Sequence, residues 1–243
     1  MFYYGIDWKW IVMVLPTVLF ALWASFHVKK VFKKYGQIRN MRGLTGAQAA
    51  QAVLSANGVS GVRIERVAGD LTDHYDPKSN VIRLSESVYD APTPAAVGVA
   101  AHEAGHAVQY AEDYAPIKLR AAIIGATNIG SKLSMPLIII GILLMSITSL
   151  ARYQRVFYYI ALAGVFCYGL CVLFQLLTLP TEFNASRRAV KAIETTGMLT
   201  ADEQKGARKV LSAAALTYVA ALVTTLAQFL RLLMLVSGSR RRN

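Results

Sequence analysis

Four long apolar runs are separated by polar segments along the chain. Residues 11–28, 133–150 and 157–179 contain no lysine, arginine, aspartate or glutamate, and residues 213–236 contain only Arg231. Each run approaches the about 20 residues that a helix needs to cross a hydrocarbon core of about 30 Å. Because the rest of the chain is too small to bury four core helices of this length, the pattern predicts about four transmembrane helices. Arg231 then either snorkels to the interface or marks a surface-lying end of the fourth helix.

The polar segment after the first run carries both helix and strand signals. Thr45 caps a predicted helix in the alanine-rich stretch that follows it, and the Asn-Gly pair at 57–58 would end that helix. Residues 61–67 alternate apolar and polar side chains, and residues 81–86 (VIRLSE) also have a strand pattern. The stretch between them, 73–80 (DHYDPKSN), is typical of a turn.

The segment after the third run contains signals for the end of one helix and the start of others. Pro180 is expected to end the third membrane helix, and residues 181–197 are expected to form a short separate helix that stops at Gly197. Thr200 and Glu203 have the spacing of a capping box, which would begin the helix leading into the fourth apolar run.

These patterns predict a predominantly α, multi-pass membrane protein with a small α+β domain that contains a short β-sheet. The first run is expected to be a retained anchor, since its front holds one lysine against one aspartate rather than a basic region. The predicted parts are an N-terminal transmembrane anchor at 1–28, a polar domain at 29–118, a hairpin of two transmembrane helices at 119–179, a polar segment at 180–212, and a fourth transmembrane helix with a basic tail at 213–243.

The charge distribution argues against a nucleic-acid partner and predicts how the chain is oriented in the membrane. There are 26 basic and 14 acidic residues, yet 55% of the chain is hydrophobic and 16% is charged, so a nucleic-acid partner is not expected. Residues 29–42 and 181–212 hold six lysines and arginines each, against two arginines in the hairpin at 151–156. The positive-inside rule therefore predicts that the polar parts face the cytoplasm, although the basic tail at 237–243 opposes a simple four-span topology.

A cluster of metal-binding residue types lies in the stretch 99–110 (VAAHEAGHAVQY). His102 and His106 are one helical turn apart, and Glu103 directly follows the first histidine. Thr93 as the N-cap and Pro94 as the first helical residue predict a helix through this stretch. This is the HExxH arrangement, in which the two imidazoles bind zinc and the glutamate acts as general base. Two partly buried structural histidines are the alternative interpretation.

A catalytic zinc site needs a third protein ligand, and five residues are candidates. His27 lies in the first apolar run, His74 in the predicted turn, and Glu112 and Asp113 just past His106. Glu182 lies just beyond the third apolar run, where a lone carboxylate is unusual unless it complements a helix dipole. We therefore expect Glu182 to be the third ligand.

Several of these segments together carry a resemblance to a known family. HEAGH at 102–106, DHYDP at 73–77 with VIRLSE at 81–86, and LPTEFNASRRA at 179–189 resemble the YugP-type bacterial membrane zinc metallopeptidases over nearly the whole chain. The likeness extends more distantly to the HtpX and CAAX-protease type. It implies a zincin-like domain with a gluzincin-like site, one Zn²⁺ per chain held by His102, His106 and Glu182, and Glu103 as the catalytic general base.

The resemblance departs from the distant relatives at one position. Their third ligand lies in a pattern of the form ExxAD, whereas this sequence reads Glu182-Phe-Asn-Ala-Ser186. An aspartate at the last position would orient a ligand imidazole strongly, and Ser186 is expected to do so weakly or to leave this role to another residue.

The resemblance implies an endopeptidase that hydrolyses peptide bonds of membrane-associated proteins or peptides through a zinc-activated water. The site would face the cytoplasm at the surface of a bacterial inner membrane, with the lipid bilayer as a further partner and oligomerisation left open. The alternative is a catalytically quiet membrane scaffold or assembly factor that keeps the peptidase fold. Intact Glu103 favours the enzyme, because a scaffold has no chemical need for the base.

Three further parts of the machinery can be assigned from residue type. His74 or Tyr75 is a candidate donor to the oxyanion, and either is equally suited to satisfying its own turn. Arg187 and Arg188 would pair with a carboxylate or a substrate terminus, or face anionic lipid. The strand at 81–86, if it lies at a sheet edge, could take up an extended substrate as an added strand.

Overall fold

The computed structural model describes residues 8–240 and is mostly helical, with one small sheet. Residues 1–7 and 241–243, which include the end of the predicted basic tail, lie outside the described part. A π-helical turn at Trp10–Val14 leads into the first helix, and a 3₁₀ segment at Thr148–Tyr153 connects the fifth and sixth. The helices are α1 (Leu15–Gly36), α2 (Gly46–Ala56), α3 (Glu86–Tyr89), α4 (Pro94–Ala111), α5 (Ala115–Met145), α6 (Gln154–Thr195) and α7 (Ala201–Arg240).

Four of the helical segments are long and apolar enough to cross a membrane, which confirms the predicted number. They are Trp10–Gly36, Ala115–Met145, Ser149–Thr195 and Ala201–Gly238. Arg231, the one charge in the fourth apolar run, is 5% exposed within α7. The predominantly α fold class is therefore confirmed.

Pro180 does not end a helix, and this prediction was wrong. It lies inside α6, which runs without interruption from the third apolar run to Thr195. A proline removes one backbone hydrogen bond and crowds the preceding turn, but long membrane helices tolerate it where neighbouring groups satisfy the freed carbonyl. The expected short helix at 181–197 is thus the carboxyl-terminal part of α6.

The sheet has three strands in the order β1-β3-β2: β1 is Arg63–Val67, β2 is His74–Asp76 and β3 is Val81–Ser85. The strands β1 and β3 confirm the prediction, and they pair in parallel. β2 was predicted as part of a turn, but its three residues pair antiparallel with β3, and the turn occupies only residues 77–80. The ladder to β3 supplies partners that local turn chemistry does not reveal.

The predicted helix caps are confirmed. Thr45 and Gln48 form a capping box at the start of α2, and the Thr93 side chain accepts a hydrogen bond from the backbone of Ala96 with Pro94 in the first turn of α4. At the start of α7, the backbone N–H of Thr200 donates to the Glu203 carboxylate at 2.8 Å. These contacts satisfy backbone N–H groups that have no partner within the helix.

The chain divides into two compact units. One contains Leu119–Leu179 with the described residues up to Leu22 and from Val219 onwards, and its helices approach closely at glycines. A Cβ added to Gly141 would lie 2.6 Å from the backbone nitrogen of Ala161, as expected for small residues at membrane helix contacts.

The other unit contains Trp23–Lys118 and Pro180–Tyr218. Its core packs small side chains of α2 and α4 against Ile82 and Leu84 of β3 and against the ends of α6 and α7. Because α4 is rich in alanine and glycine, neighbouring backbones can lie close to it. All the residues of the candidate site belong to this unit.

Candidate metal centre

Helix α4 presents the two histidines of the HEAGH stretch from the same side. His102 and His106 are four residues apart, so the 3.6-residue period of the helix brings their rings to 4.7 Å between centroids. His106 and Glu103 are each 9% exposed. Burial of two imidazoles on an otherwise apolar helix requires polar partners for their nitrogens.

Helix α6 supplies those partners. The Oε2 atom of Glu182 lies 3.2 Å from Nε2 of His102 and 3.4 Å from Nε2 of His106. The three residues form a group whose potential ligand atoms all lie within 4.8 Å of one another. Glu182 itself is 3% exposed, so its carboxylate depends on this group for compensation of its buried charge.

The separations fit a zinc ion. With zinc–ligand bonds of about 2.0–2.1 Å, neighbouring ligand atoms of a tetrahedral site lie about 3.3 Å apart. The two nitrogen–oxygen distances of 3.2 and 3.4 Å match that value. Two imidazoles and one carboxylate are also the donor types that zinc binds in catalytic sites.

Each imidazole is oriented through its other ring nitrogen. Nδ1 of His102 lies 3.1 Å from Oγ of Ser186, and Nδ1 of His106 lies 2.9 Å from Oε1 of Gln109. The Nε2 lone pairs then point at the Glu182 oxygen if each Nδ1 carries the proton. Ser186 thus does contact a ligand imidazole, as its place in the EFNAS segment suggested.

The orientation of Gln109 follows from its two other contacts. Its Nε2 donates to the Thr181 carbonyl at 2.8 Å and to Oδ1 of Asn184 at 2.9 Å. Because its N–H₂ group is used for these acceptors, its carbonyl oxygen faces His106 and accepts from Nδ1–H. Gln109 is fully buried, so it links α4 to α6 directly behind the metal ligands.

Gly105 allows the two helices to meet at this point. A Cβ placed on Gly105 would lie 2.8 Å from the carbonyl oxygen of Ala185, closer than such contacts occur in proteins. Any side chain at residue 105 would therefore push α4 away from the turn of α6 that carries Glu182 and Ser186. The glycine of HEAGH is explained by this close approach.

Two carboxylates shape the electrostatics around His106. Burial of the ring lowers the pKa of His106, but its contact with Glu182 and the nearby charge of Glu103 outweigh this, and the net pKa is raised. In the part of the chain that the structure describes, the Glu103 carboxylate has no hydrogen-bond partner. It therefore keeps its acceptor capacity for a molecule in the adjacent pocket.

The other third-ligand candidates lie in contacts of their own. His27 stacks on Trp23 with 5.0 Å between centroids, and Nδ1 of His74 lies 2.8 Å from the Thr72 carbonyl. Glu112 pairs with Arg188 at 2.7 Å, and Asp113 pairs with Lys118. The structure brings Glu182, and none of these four, into the group with both histidines.

His74 and Tyr75 form contacts within their own segment, and the strand at 81–86 is not at an edge of the sheet. The Tyr75 hydroxyl donates to Asn80 at 2.8 Å, and the His74 side chain is exposed. Strand β3 is central and paired on both sides, so it does not meet the condition for taking up an extended substrate, which is a place at the sheet edge. Four of its five residues are buried, as expected for a strand covered on both sides.

Sequence reasoning missed several residues of the site. Gln109 follows His106 by three positions, so the helical spacing alone would place both side chains on one face of α4. Asp73 opens the DHYDP segment, yet its role depends on contacts with β3 that no local pattern shows. Asn184 likewise acquires its position only through Gln109 and Arg188.

Comparison with known proteins places this site in a family. A family model described as "Putative neutral zinc metallopeptidase" matches residues 10–237. The chain belongs to this zinc metallopeptidase family. A similar protein of Bacillus subtilis (strain 168), described as "Putative membrane protease YugP", is 40% identical over 233 residues, which cover 96% of this chain and 99% of the relative. No solved structure matches the chain.

Membership confirms the resemblance to YugP-type zinc metallopeptidases and fits what the structure shows. The metallopeptidase has four helices that are long and apolar enough to cross a membrane. The relative described as a membrane protease aligns with 96% of the chain, which includes these helices. Zinc is the cofactor of this family, and His102, His106 and Glu182 form a group able to bind a metal ion.

Proposed function

We propose that this metallopeptidase is a membrane-anchored, zinc-dependent endopeptidase. His102, His106 and Glu182 hold one zinc ion, and Glu103 is the general base. The observation that carries the proposal is the convergence of two imidazole nitrogens and a buried carboxylate oxygen at 3.2–3.4 Å. Such a cluster of electron-pair donors is unfavourable unless a cation or a proton is shared among them.

The chain's own residues would divide the chemistry between them. Zinc, when bound, supplies a Lewis acid that polarises the peptide carbonyl and makes water a better nucleophile near neutral pH. Glu103, buried and without a hydrogen-bond partner among the described residues, accepts the proton of the attacking water and passes it to the leaving amine. Ser186 and Gln109 keep the two imidazoles in the orientation that the ion requires.

The site is proposed to face the cytoplasm at the surface of the bacterial cell membrane, which is the inner membrane where two are present. Glu182 follows Leu179, the last residue of the third apolar run, by three positions. The polar parts 29–118 and 180–212 would together form the cytoplasmic peptidase domain, supported by their excess of basic residues. Substrates would be membrane proteins, their frayed juxtamembrane ends, or peptides at the interface.

Cleavage inside the bilayer is the less favoured enzyme reading. Among the described residues, α4 is not one of the helices long and apolar enough to cross a membrane. A protease that cuts within the bilayer needs its base and ligands at membrane depth, whereas α4 is flanked by charged residues such as Asp90 and Glu112.

Replacing the general base separates the endopeptidase from the scaffold alternative. Glu103→Gln should abolish cleavage of peptide substrates while zinc stays bound, because the amide cannot accept the proton and does not belong to the ligand group. Peptide hydrolysis and elemental analysis of the purified full chain are the measurements. The matched control is Glu86→Gln, the same charge change at an exposed residue of α3. A biological effect that persists in the Glu103→Gln strain would favour the scaffold.

Removing the third ligand tests the metal site directly. Glu182→Ala should reduce the zinc content of the purified protein sharply, because two imidazoles alone leave the site incomplete. Glu86→Ala serves as the control, and its zinc content should match the wild type. Full zinc occupancy in folded Glu182→Ala protein would contradict the assignment of the ligands.

A further inference from the structure

A pocket of about 250 Å³ opens beside the general base. His102 and Glu103 form one part of its wall, and Asp73 forms another. Much of the remaining surface is apolar and comes from α1, α4 and α7, including Val28, Phe32, Val99 and Leu211. Its volume suits one large side chain, which would lie next to Glu103.

Asp73 is fixed in this wall by the end of β3. Its Oδ1 atom accepts the backbone N–H of Ser85 at 2.8 Å, and its Oδ2 atom lies 2.9 Å from the Ser85 hydroxyl. The hydroxyl has a single proton, so these contacts use two of the about four acceptor positions of a carboxylate. Ser85 therefore orients the group without neutralising it.

The charge of Asp73 has no cationic partner in the part of the chain that is described. No lysine, arginine or histidine among residues 8–240 is ion-paired to it. Glu103, nine-tenths buried in the same wall, also lacks a hydrogen-bond partner there. Burial raises the pKa of Asp73, and the nearby Glu103 charge raises it further.

We propose that this pocket binds a positively charged group of the peptide substrate, with Asp73 as the specificity-determining residue. The stem of a lysine or arginine would lie along the apolar wall, and its ammonium or guanidinium would pair with the Asp73 carboxylate. This rests on the proposed endopeptidase function and adds the substrate class. A terminal ammonium offers the same charge and is the second source to be distinguished.

The proposed location agrees with this chemistry. Segments on the cytoplasmic side of membrane helices carry an excess of lysine and arginine, so juxtamembrane substrates there would present the required cations. The enzyme itself carries 26 basic residues, and a pocket that selects cations on a basic protein needs its own local acids. Asp73 supplies such an acid in the pocket.

Peptide binding to zinc-loaded, full-length Glu103→Gln protein tests the inference without turnover. Three peptides of one sequence are compared: N-acetylated with one lysine, N-acetylated with norleucine in its place, and norleucine with a free amino terminus. The lysine peptide should bind about ten- to hundredfold more tightly than its acetylated norleucine counterpart, the range for a hydrogen bond to a charged group. Adding Asp73→Asn should bring this ratio close to one.

Controls keep the result specific. Asp70→Asn makes the same change at an exposed residue of the same segment and should keep the preference. Zinc content and thermal unfolding report whether the Asp73→Asn protein is folded. Ser85→Ala is the second variant, since it keeps the charge but removes the hydroxyl that orients it, and should lose part of the preference.

The possible outcomes are distinct. If only the peptide with the free amino terminus binds more tightly than the acetylated norleucine peptide, and Asp73→Asn removes this difference, the pocket is supported and its cation is the terminal ammonium. Equal binding of all three peptides, or a preference that persists without the Asp73 charge, overturns the inference. If the wild type cleaves all three peptides equally well, the inference is overturned but the proposed function stands. If Glu103→Gln protein binds the charged peptide preferentially but the wild type cleaves none of the peptides, the proposed function is overturned and the pocket assignment stands.

Discussion

Ser186 places a neutral hydroxyl behind one imidazole of the proposed metal site. In the distant HtpX-type pattern an aspartate stands at this position, whereas here Oγ of Ser186 lies 3.1 Å from Nδ1 of His102. A neutral acceptor fixes the ring but adds less electron density to it than a carboxylate would. His106 has a neutral partner too, the carbonyl of Gln109.

Ser186→Ala should weaken zinc binding by about ten- to hundredfold, the usual effect of losing a hydrogen bond to a ligand imidazole. Ser186→Thr, which keeps the hydroxyl, is the matched control and should retain most of the affinity. Competition with a zinc chelator at fixed pH measures both. Equal zinc affinity in the wild type and the alanine variant would mean that the contact does not orient His102.

At the residue scale, the sequence predicts the site as far as local spacing reaches. His102, Glu103 and His106 follow from helical geometry, and Glu182 from its isolation beside an apolar run. Asp73 is not predictable in this way, because its role depends on Ser85 twelve residues away. The same limit hides the local contacts of His74 and Tyr75, because Nδ1 of His74 lies against the Thr72 carbonyl and the Tyr75 hydroxyl donates to Asn80.

At the scale of elements, the contact between α4 and α6 controls the site. Gly105 lies against Ala185, and Gln109 bonds to the Thr181 carbonyl, so both contacts involve backbone that cannot move independently. A change in the separation of the helices therefore changes the ligand distances directly. Ligand geometry tolerates little of this, because productive sites need an accuracy of about 0.5 Å.

Gly105→Ala should reduce both zinc content and thermal stability, because its Cβ would approach the Ala185 carbonyl to 2.8 Å. Gly125→Ala, at a helix position with nothing within 4 Å of the added Cβ, is the matched control. It should be neutral or slightly stabilising, since alanine favours helix more than glycine by about 1 kcal/mol. Elemental analysis and thermal unfolding in detergent compare the two, and equal effects would contradict the packing argument.

The elements also show where pattern reading fails. Capped helices and apolar runs are predictable because each signal is local, as at Thr45 and Thr93. Strand β2 was not predicted because three residues are too few to show a period. The central position of β3 was not predictable, because it depends on which strands pair with it. Pro180 was misread because the rules for soluble helix ends do not hold for a membrane helix.

At the scale of the whole molecule, the distribution of basic residues predicts which parts face the cytoplasm. Residues 29–42 hold six lysines and arginines, against two in the hairpin at 151–156. The positive-inside rule therefore places the former inside the cell and the latter outside. The native thiols Cys167 and Cys171 both lie in α6, so replacing them clears the background for labelling.

In a chain without its native cysteines, a thiol introduced by Arg152→Cys should react with a membrane-impermeant maleimide on intact cells. A thiol introduced by Lys33→Cys should react only after the membrane is permeabilised. Both native side chains are exposed on the protein surface, so neither introduced thiol would be buried by protein atoms. The opposite labelling pattern would place the metal centre on the outer face.

The two parts of the metal centre are far apart in the order of synthesis. His102 precedes Glu182 by 80 residues, and the second and third apolar runs lie between them. A ribosome must therefore complete both of these segments before the last ligand can meet the imidazoles. If His102, His106 and Glu182 bind zinc as proposed, the growing chain has no complete metal site until its second and third apolar runs have been made.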